Sequence, residues 1–412
     1  MRHRLPPALR IRDFALLWSA LLTNGLASQM LAVAIGWQVY EIHHNPFDLG
    51  LVGLMEFLPL PVLALPAGSI ADRLPRRAVT AVSYVATIAI AVALVFVTLA
   101  GAKTLAPFLV LAVVAGVASV IGNPAARAIT REIVPDEMLP SAMALRTLAG
   151  QAGVIAGPAL GGLIFSVEPV AVYITAAALL AASLTAILLM RPAAVSYVTT
   201  EPVGWDSLVG GVKFIWRTRM LLGAIGLDLV AVLLGDAIAL APVFAASILH
   251  TGPIGLGLLR TSPAAGALLA ALLLTRRPLP YRAGPTLLVV VAGFGAGTIV
   301  FGLSRWLPVS MAALAVAGFL DMISMNIRIT SVAILTPPQL QGRVAAVEWV
   351  FISASNELGA FWSGSFARLA GTVPSVVAGG AAMIAVAGSW TRLFPALSRM
   401  GKLDDLEAAK AA

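Results

Sequence analysis

The residues able to do chemistry in this chain are few, and each stands in apolar surroundings. Glu357, with Asn356 beside it, lies inside a long apolar run. Asp321 lies inside another, followed two helical turns later by Arg328. Asp228 and Asp236 share a third, and Glu56 sits in a fourth. Asn24 and Gln29 add uncharged polar groups to a fifth, the run nearest the N-terminus. A charge inside a membrane is costly, so such residues are rare there and mark ion or substrate paths. Low-dielectric surroundings favour the neutral form of a carboxylic acid, which is the condition a proton carrier needs. Glu357, Asp236 and Glu56 are the expected carriers. Asp321 and Arg328 could instead pair as a static bolt. Arg127, Arg146, Arg260 and Glu348 lie toward the ends of apolar runs and read as interfacial groups or structural ion pairs. Trp37, Phe57, Trp349, Phe351, Trp362, Met322 and Met325 could line an apolar cavity, or simply pack.

The elements that must hold these groups follow from composition. Of 412 residues, 59% are hydrophobic and 11% charged, with mean hydropathy +0.95. A soluble domain carries roughly 25% charged residues, so the chain reads as a multi-pass membrane protein. The net charge of +8 is spread over short loops and does not point to nucleic acid. Cysteine is absent, which removes disulfides and thiol chemistry. His3, His43, His44 and His250 show no metal-ligand spacing, and no G-x-x-x-x-G-K-[S/T] phosphate loop is present. No cofactor, metal site or enzymatic activity is expected.

A span needs about 20 apolar residues. Twelve are expected, over 14–40, 49–70, 78–100, 105–126, 139–164, 168–190, 219–248, 253–275, 284–303, 308–333, 343–367 and 373–393. The first is too long for a signal-peptide core and is expected to stay. Residues 1–190 form the first six-helix bundle, 191–218 a central loop, 219–400 the second bundle and 401–412 a short tail. The loop should hold an amphipathic segment near Trp205–Trp216. One set of loops carries Arg73, Arg76, Arg77, Arg131, Arg191, Lys213, Arg217, Arg276 and Arg343; the other only Lys103, Arg305 and Arg368. Positive charge collects on the cytoplasmic side. Both termini are therefore expected in the cytoplasm and the protein in the inner membrane.

Two stretches give these spans their character. Gly153 to Gly162 reads G-V-I-A-G-P-A-L-G-G. Gly153, Gly157 and Gly161 fall on one helix face, where small residues let a neighbouring backbone come close, and Pro158 should add a bend. The loop after span two, Gly68 to Arg77, reads G-S-I-A-D-R-L-P-R-R. Asp72 could cap a neighbouring helix and meet its positive end, while Arg73, Arg76 and Arg77 anchor the loop. V-P-D-E-M-L at 134–139 resembles T-P-P-Q-L-Q at 336–341, and at the same offset Gly157 meets Gly359 and Gly162 meets Gly364. Two copies of a six-helix unit are the plan of a secondary transporter.

Gly68–Arg77 resembles the loop 2–3 signature of the major facilitator superfamily, and Gly153–Gly162 the fifth-helix signature of its exporters. Phe14–Trp18, Trp37–Glu41 and Gly342–Gly359 are similar to the enterobactin-exporter-like branch of its twelve-helix members. The related first-helix pattern often carries an acid near Ala27–Ser28, which this chain lacks. The resemblance implies an all-α protein of twelve transmembrane helices in two bundles. Its substrate site would lie at the bundle interface near mid-membrane. It implies a monomer in the lipid bilayer that exports a small molecule, a siderophore or a lipophilic drug, against protons. An importer or uniporter of a metabolite, a lipid translocase and a non-transporting membrane enzyme remain as alternatives.

Overall fold

The computed structural model describes residues 6–63, 74–191, 205–276 and 282–401, without the side chains of 205–208 and 338. Among these residues there is no strand; helices account for almost everything between short connections. This is what a chain of this hydropathy must do in lipid. A helix satisfies its backbone groups internally, and no water is available to do so.

The long helices are α1 (Arg12–His43), α2 (Pro46–Phe57), α3 (Arg76–Leu99), α4 (Ala106–Ile133), α5 (Leu139–Val167) and α6 (Pro169–Leu189). After a one-residue turn, α2 continues helical to Leu63, and a separate α7 (Trp205–Arg217) of 13 residues follows α6. Then come α8 (Arg219–Gly235), α9 (Gly252–Arg276), α10 (Ala283–Leu303), α11 (Leu307–Leu335), α12 (Gln341–Ala370) and α13 (Thr372–Leu393). Among the described residues eleven helical segments are long and apolar enough to cross a membrane. The twelfth expected span, 343–367, is α12. It has 30 residues, but Ser353, Ser355, Asn356, Glu357, Ser363 and Ser365 lower its hydropathy below that of the other spans.

Contacts divide the chain into two compact units. The first holds Met1–His43, Met55–Pro202 and Gly252–Thr261; the second holds His44–Leu54, Val203–Thr251 and Ser262–Ala412. In the first, α1 packs on α5 and α6, and α3 on α4 and α6. Leu17, Ala20, Tyr84, Ile129 and Ile187 meet in its core. In the second, α10 packs on α11 and α13, and α8 on α12 and α13. Leu227, Leu287, Val291, Ile327 and Met383 fill that core.

The run 219–248, expected as one helix, is broken. α8 ends at Gly235, and Asp236 leaves helical geometry with ψ 84°. A 3-10 turn (Ile238–Leu240), three α-helical residues (Ala241–Val243) and a π turn (Phe244–Ile248) follow. Hydropathy reads this run as continuous because it scores side chains and not backbone. Broken backbone at membrane depth persists only where protein or a polar cavity covers it. Here protein covers it: Leu240 to Ala245 are buried, and glycines of other helices press on the last turn of α8. A Cβ added at Gly379 would lie 3.4 Å from the Cα of Gly235, and one at Gly359 would lie 3.0 Å from the carbonyl of Val232.

Candidate functional site

Two carboxylates of the second unit, Asp228 and Glu348, converge on Arg328. It stands on α11 and is only 5% exposed. One guanidinium nitrogen, Nη1, pairs with Asp228 of α8, and Nε lies 3.4 Å from Glu348 of α12. A buried guanidinium must find anions, since an unpaired one costs several kcal/mol. Asp321, expected as its partner from their shared helix, makes no direct ion pair with it. Asp321 is exposed on α11 and within electrostatic reach of both Asp228 and Arg328. The partners come instead from two other helices. Glu348 was expected to be interfacial or to sit in a structural pair, and it is a member of this cluster.

A small crevice, with room for about one water, opens on the cluster. Asp228, Arg328, Glu348 and Ser355 line one part, and Ile225, Leu229, Phe351 and Ile352 the other. Three carboxylates, Asp321 included, stand against one guanidinium. Such a set retains an uncompensated negative charge unless it takes up a proton or a cation.

The other expected residues lie apart from the cluster. Glu357 stands on α12 against α2: a Cβ added at Gly53 would lie 3.0 Å from its Oε2. Asn356 is exposed beside it. Asp236 marks the break after α8, its Cβ 3.4 Å from a Cβ built at Gly359. In the first unit, Gln29 of α1 touches the matching glycine of the other half: a Cβ added at Gly157 would lie 2.6 Å from the Cβ of Gln29. The two halves thus place a polar side chain against the same glycine of the repeat, neutral in one and acidic in the other. Glu56 lies within electrostatic reach of Arg260, also in the first unit. Asn24 is half-buried on α1. Of the aromatic candidates, Phe351 lines the crevice, whereas Trp37 is buried and Trp362 stacks on Phe366.

The glycine stretch forms a seam along α1. A Cβ at Gly153 would lie 2.7 Å from the carbonyl carbon of Gly25, and one at Gly161 would lie 2.9 Å from the Cα of Met30. α5 runs as one helix through Pro158. Proline leaves a carbonyl of the preceding turn without its usual donor; nearby, Thr261 donates to the carbonyl of Ile155 at 2.9 Å. Gly162 meets the start of α9, where its Cβ would lie 3.1 Å from the Cα of Gly257. In the second unit Gly364 stands in the same relation to Gly50 of α2, at 3.2 Å. α2 and α9 each begin with a Pro-x-x-x-Gly pattern, Pro46 to Gly50 and Pro253 to Gly257. A left-handed histidine precedes each, His44 and His250, both with φ 52°. These are second signs of the repeat, and they were readable in the sequence.

Gly68, Asp72 and Arg73 lie outside the described residues. The two arginines that follow are engaged within their own unit. Arg76 forms a 2.8 Å ion pair with Glu132 of α4. Arg77 donates to the carbonyls of Ile187, at 2.9 Å, and Leu188. These lie among the last carbonyls of α6, where helical donors run out and a cation is attracted. Among the described residues no group of His, Asp or Glu is arranged to hold a metal ion.

Comparison with known proteins agrees with this architecture. A family model described as transmembrane secretion effector matches residues 5–409. The multidrug efflux pump Tap of Mycolicibacterium fortuitum is 28% identical over 369 residues, 85% of this chain and 88% of that protein. The solved nucleoside transporter NupG matches with TM-score 0.75 at 13% identity, over 93% of this chain and 100% of that one. A bacterial homologue of the human lysosomal transporter Spinster matches with TM-score 0.72 at 16% identity, over 95% and 98%. At such identities the structural likeness speaks for the fold alone, and that fold is the all-α major facilitator fold. The family match spans nearly the entire chain: it belongs to the transmembrane secretion effector family of major facilitator transporters, which carry molecules across membranes and are not enzymes.

Proposed function

We propose that this protein exports a small, partly apolar molecule and is driven by protons entering in exchange. The observation that supports this reading best is the cluster of Asp228, Arg328 and Glu348 on a crevice with an apolar wall. Export against a gradient needs a group whose charge state alters how helices are held. Protonating Asp228 or Glu348 removes one of the two anions that tie Arg328, and with it a link between α11 and either α8 or α12. Proton uptake is thereby converted into a change in helix attachment. Glu357, Asp236, Glu56 and Asp321 complete the set of carboxylates through which the proton could pass.

Ile225, Leu229, Phe351 and Ile352 would give an amphiphile an apolar wall once the crevice widens during the transport cycle. A lipophilic drug is favoured over a siderophore, because the relative at 28% identity is named a multidrug efflux pump. The protein would act as a monomer in the cytoplasmic membrane by alternating access, with both termini inside, as the arginine-rich loops require.

Everted membrane vesicles test the reading. With the interior made acidic, they should accumulate a lipophilic drug and release protons as they do so. Accumulation that ignores the pH gradient, or drug movement without proton release, would refute proton exchange.

A further inference from the structure

We infer that α7 is a binding site for acidic lipid headgroups at the edge of the second unit. The helix has two unlike faces. Inward, Gly211 and Ile215 are buried, and Val212 and Phe214 pack with Val344 and Val347 of α12 and Leu221 of α8. The approach is close: a Cβ added at Gly211 would lie 2.9 Å from the carbonyl oxygen of Arg343. Outward, Val209 is 56% exposed and Trp216 66% exposed. Lys213 and Arg217 are exposed with them.

A face that combines apolar, tryptophan and basic residues suits the boundary between headgroups and acyl chains. Position in the chain puts α7 at that boundary. Thr218 alone separates it from α8, which begins a membrane-crossing run at Arg219. Arg219 is exposed at this junction. Arg343, also exposed, lies along α7, its Nη1 3.5 Å from a Cβ built at Gly210. Lys213, Arg217, Arg219 and Arg343 therefore form one basic edge. The described side chains of α7 include no acid; Asp206, near its start, lies outside them. Four cations beside a span match the charge pattern that recruits acidic lipids. The buried face of α7 grips the first turns of α12, where Val347 adjoins Glu348 of the charged cluster. Headgroups held by α7 would thus steady the helix that carries one of the partners of Arg328.

The chain contains no cysteine, so Val209→Cys can carry a single environment-sensitive fluorophore. The labelled protein is placed in bilayers of phosphatidylglycerol and phosphatidylcholine, with only one of the two lipids brominated. Brominated phosphatidylglycerol should quench more than brominated phosphatidylcholine does in the mirrored mixture. Adding Lys213→Ser and Arg217→Ser should remove that preference, at roughly fivefold in apparent affinity per cation lost. Equal quenching in the parent protein would overturn the selectivity for acidic lipid. Quenching by neither lipid would show that this face does not meet the bilayer. A preference that survives the double substitution would overturn the role given to these cations.

Discussion

Arg328 holds carboxylates from two different helices, and that arrangement has a definite energetic signature. Removing the guanidinium leaves Asp228 and Glu348 largely buried without a counter-charge, which costs up to about 3 kcal/mol. Arg328→Met should therefore lower the thermal unfolding midpoint in detergent. The double variant Arg328→Met with Glu348→Gln should recover part of the loss. An unchanged midpoint in the single variant would dismiss the cluster as a structural tie. Glu357 makes a different prediction, because its carboxylate borders Gly53. Glu357→Gln should abolish proton-driven accumulation while the protein remains folded in the membrane. Full activity in that variant removes Glu357 from the mechanism. The presence of these groups was readable from their apolar surroundings. Their partners were not, because spacing along α11 relates Asp321 to Arg328 and says nothing about which neighbouring helix faces them. Glu348 was read as interfacial or as part of a structural ion pair; the pair is what forms, and its partner was hidden for the same reason.

Among the elements, α5 and the run after α8 show the two sides of that legibility. The four-residue glycine spacing of α5 did mark a close helix contact, and the contact is with α1. Gly157→Leu must displace Gln29, whose Cβ would lie only 2.6 Å from the new Cβ. Overpacking of this kind typically costs 1–3 kcal/mol. The variant should show a lower unfolding midpoint and reduced transport; wild-type values for both would make the seam incidental. The break at Gly235–Asp236 was not legible, because the run from Arg219 to Ile248 suits a span by its mean hydropathy. The burial of Leu240 to Ala245 shows how broken backbone is accommodated there, and Gly359 and Gly379 pack against the turn just before it. The arginines Arg76 and Arg77 were read as anchors, and their attachments turn out to be specific: one to Glu132, the other to the end of α6.

For the whole molecule, the order of helices followed almost entirely from the length and hydropathy of the apolar runs. Their boundaries match the described helices to within several residues, except that the run 219–248 is broken after Gly235. α12 was expected as a span as well, and its polar content reflects the charges and hydroxyls it must carry. Topology is the property to test at this scale. The cysteine-free chain makes the test simple. Lys103→Cys, between α3 and α4, should react with an impermeant maleimide added to intact cells. Arg191→Cys, after α6, should react only when vesicles are everted. The reverse pattern would place the termini outside.

The first helix and its counterpart differ in stiffness as well as in charge. α1 is a single helix of 32 residues, a strut about 48 Å long at 1.5 Å per residue. The corresponding run from Arg219 to Ile248 is jointed: one α-helix, then three short pieces with different hydrogen-bond spacing. A strut passes load along its length, whereas a jointed rod yields where its hydrogen bonding changes. Compliance is therefore lodged in one half of a duplicated design, at the joint that bears Asp236. The amide protons from Asp236 to Leu249 should be the first in these two runs to exchange with deuterium.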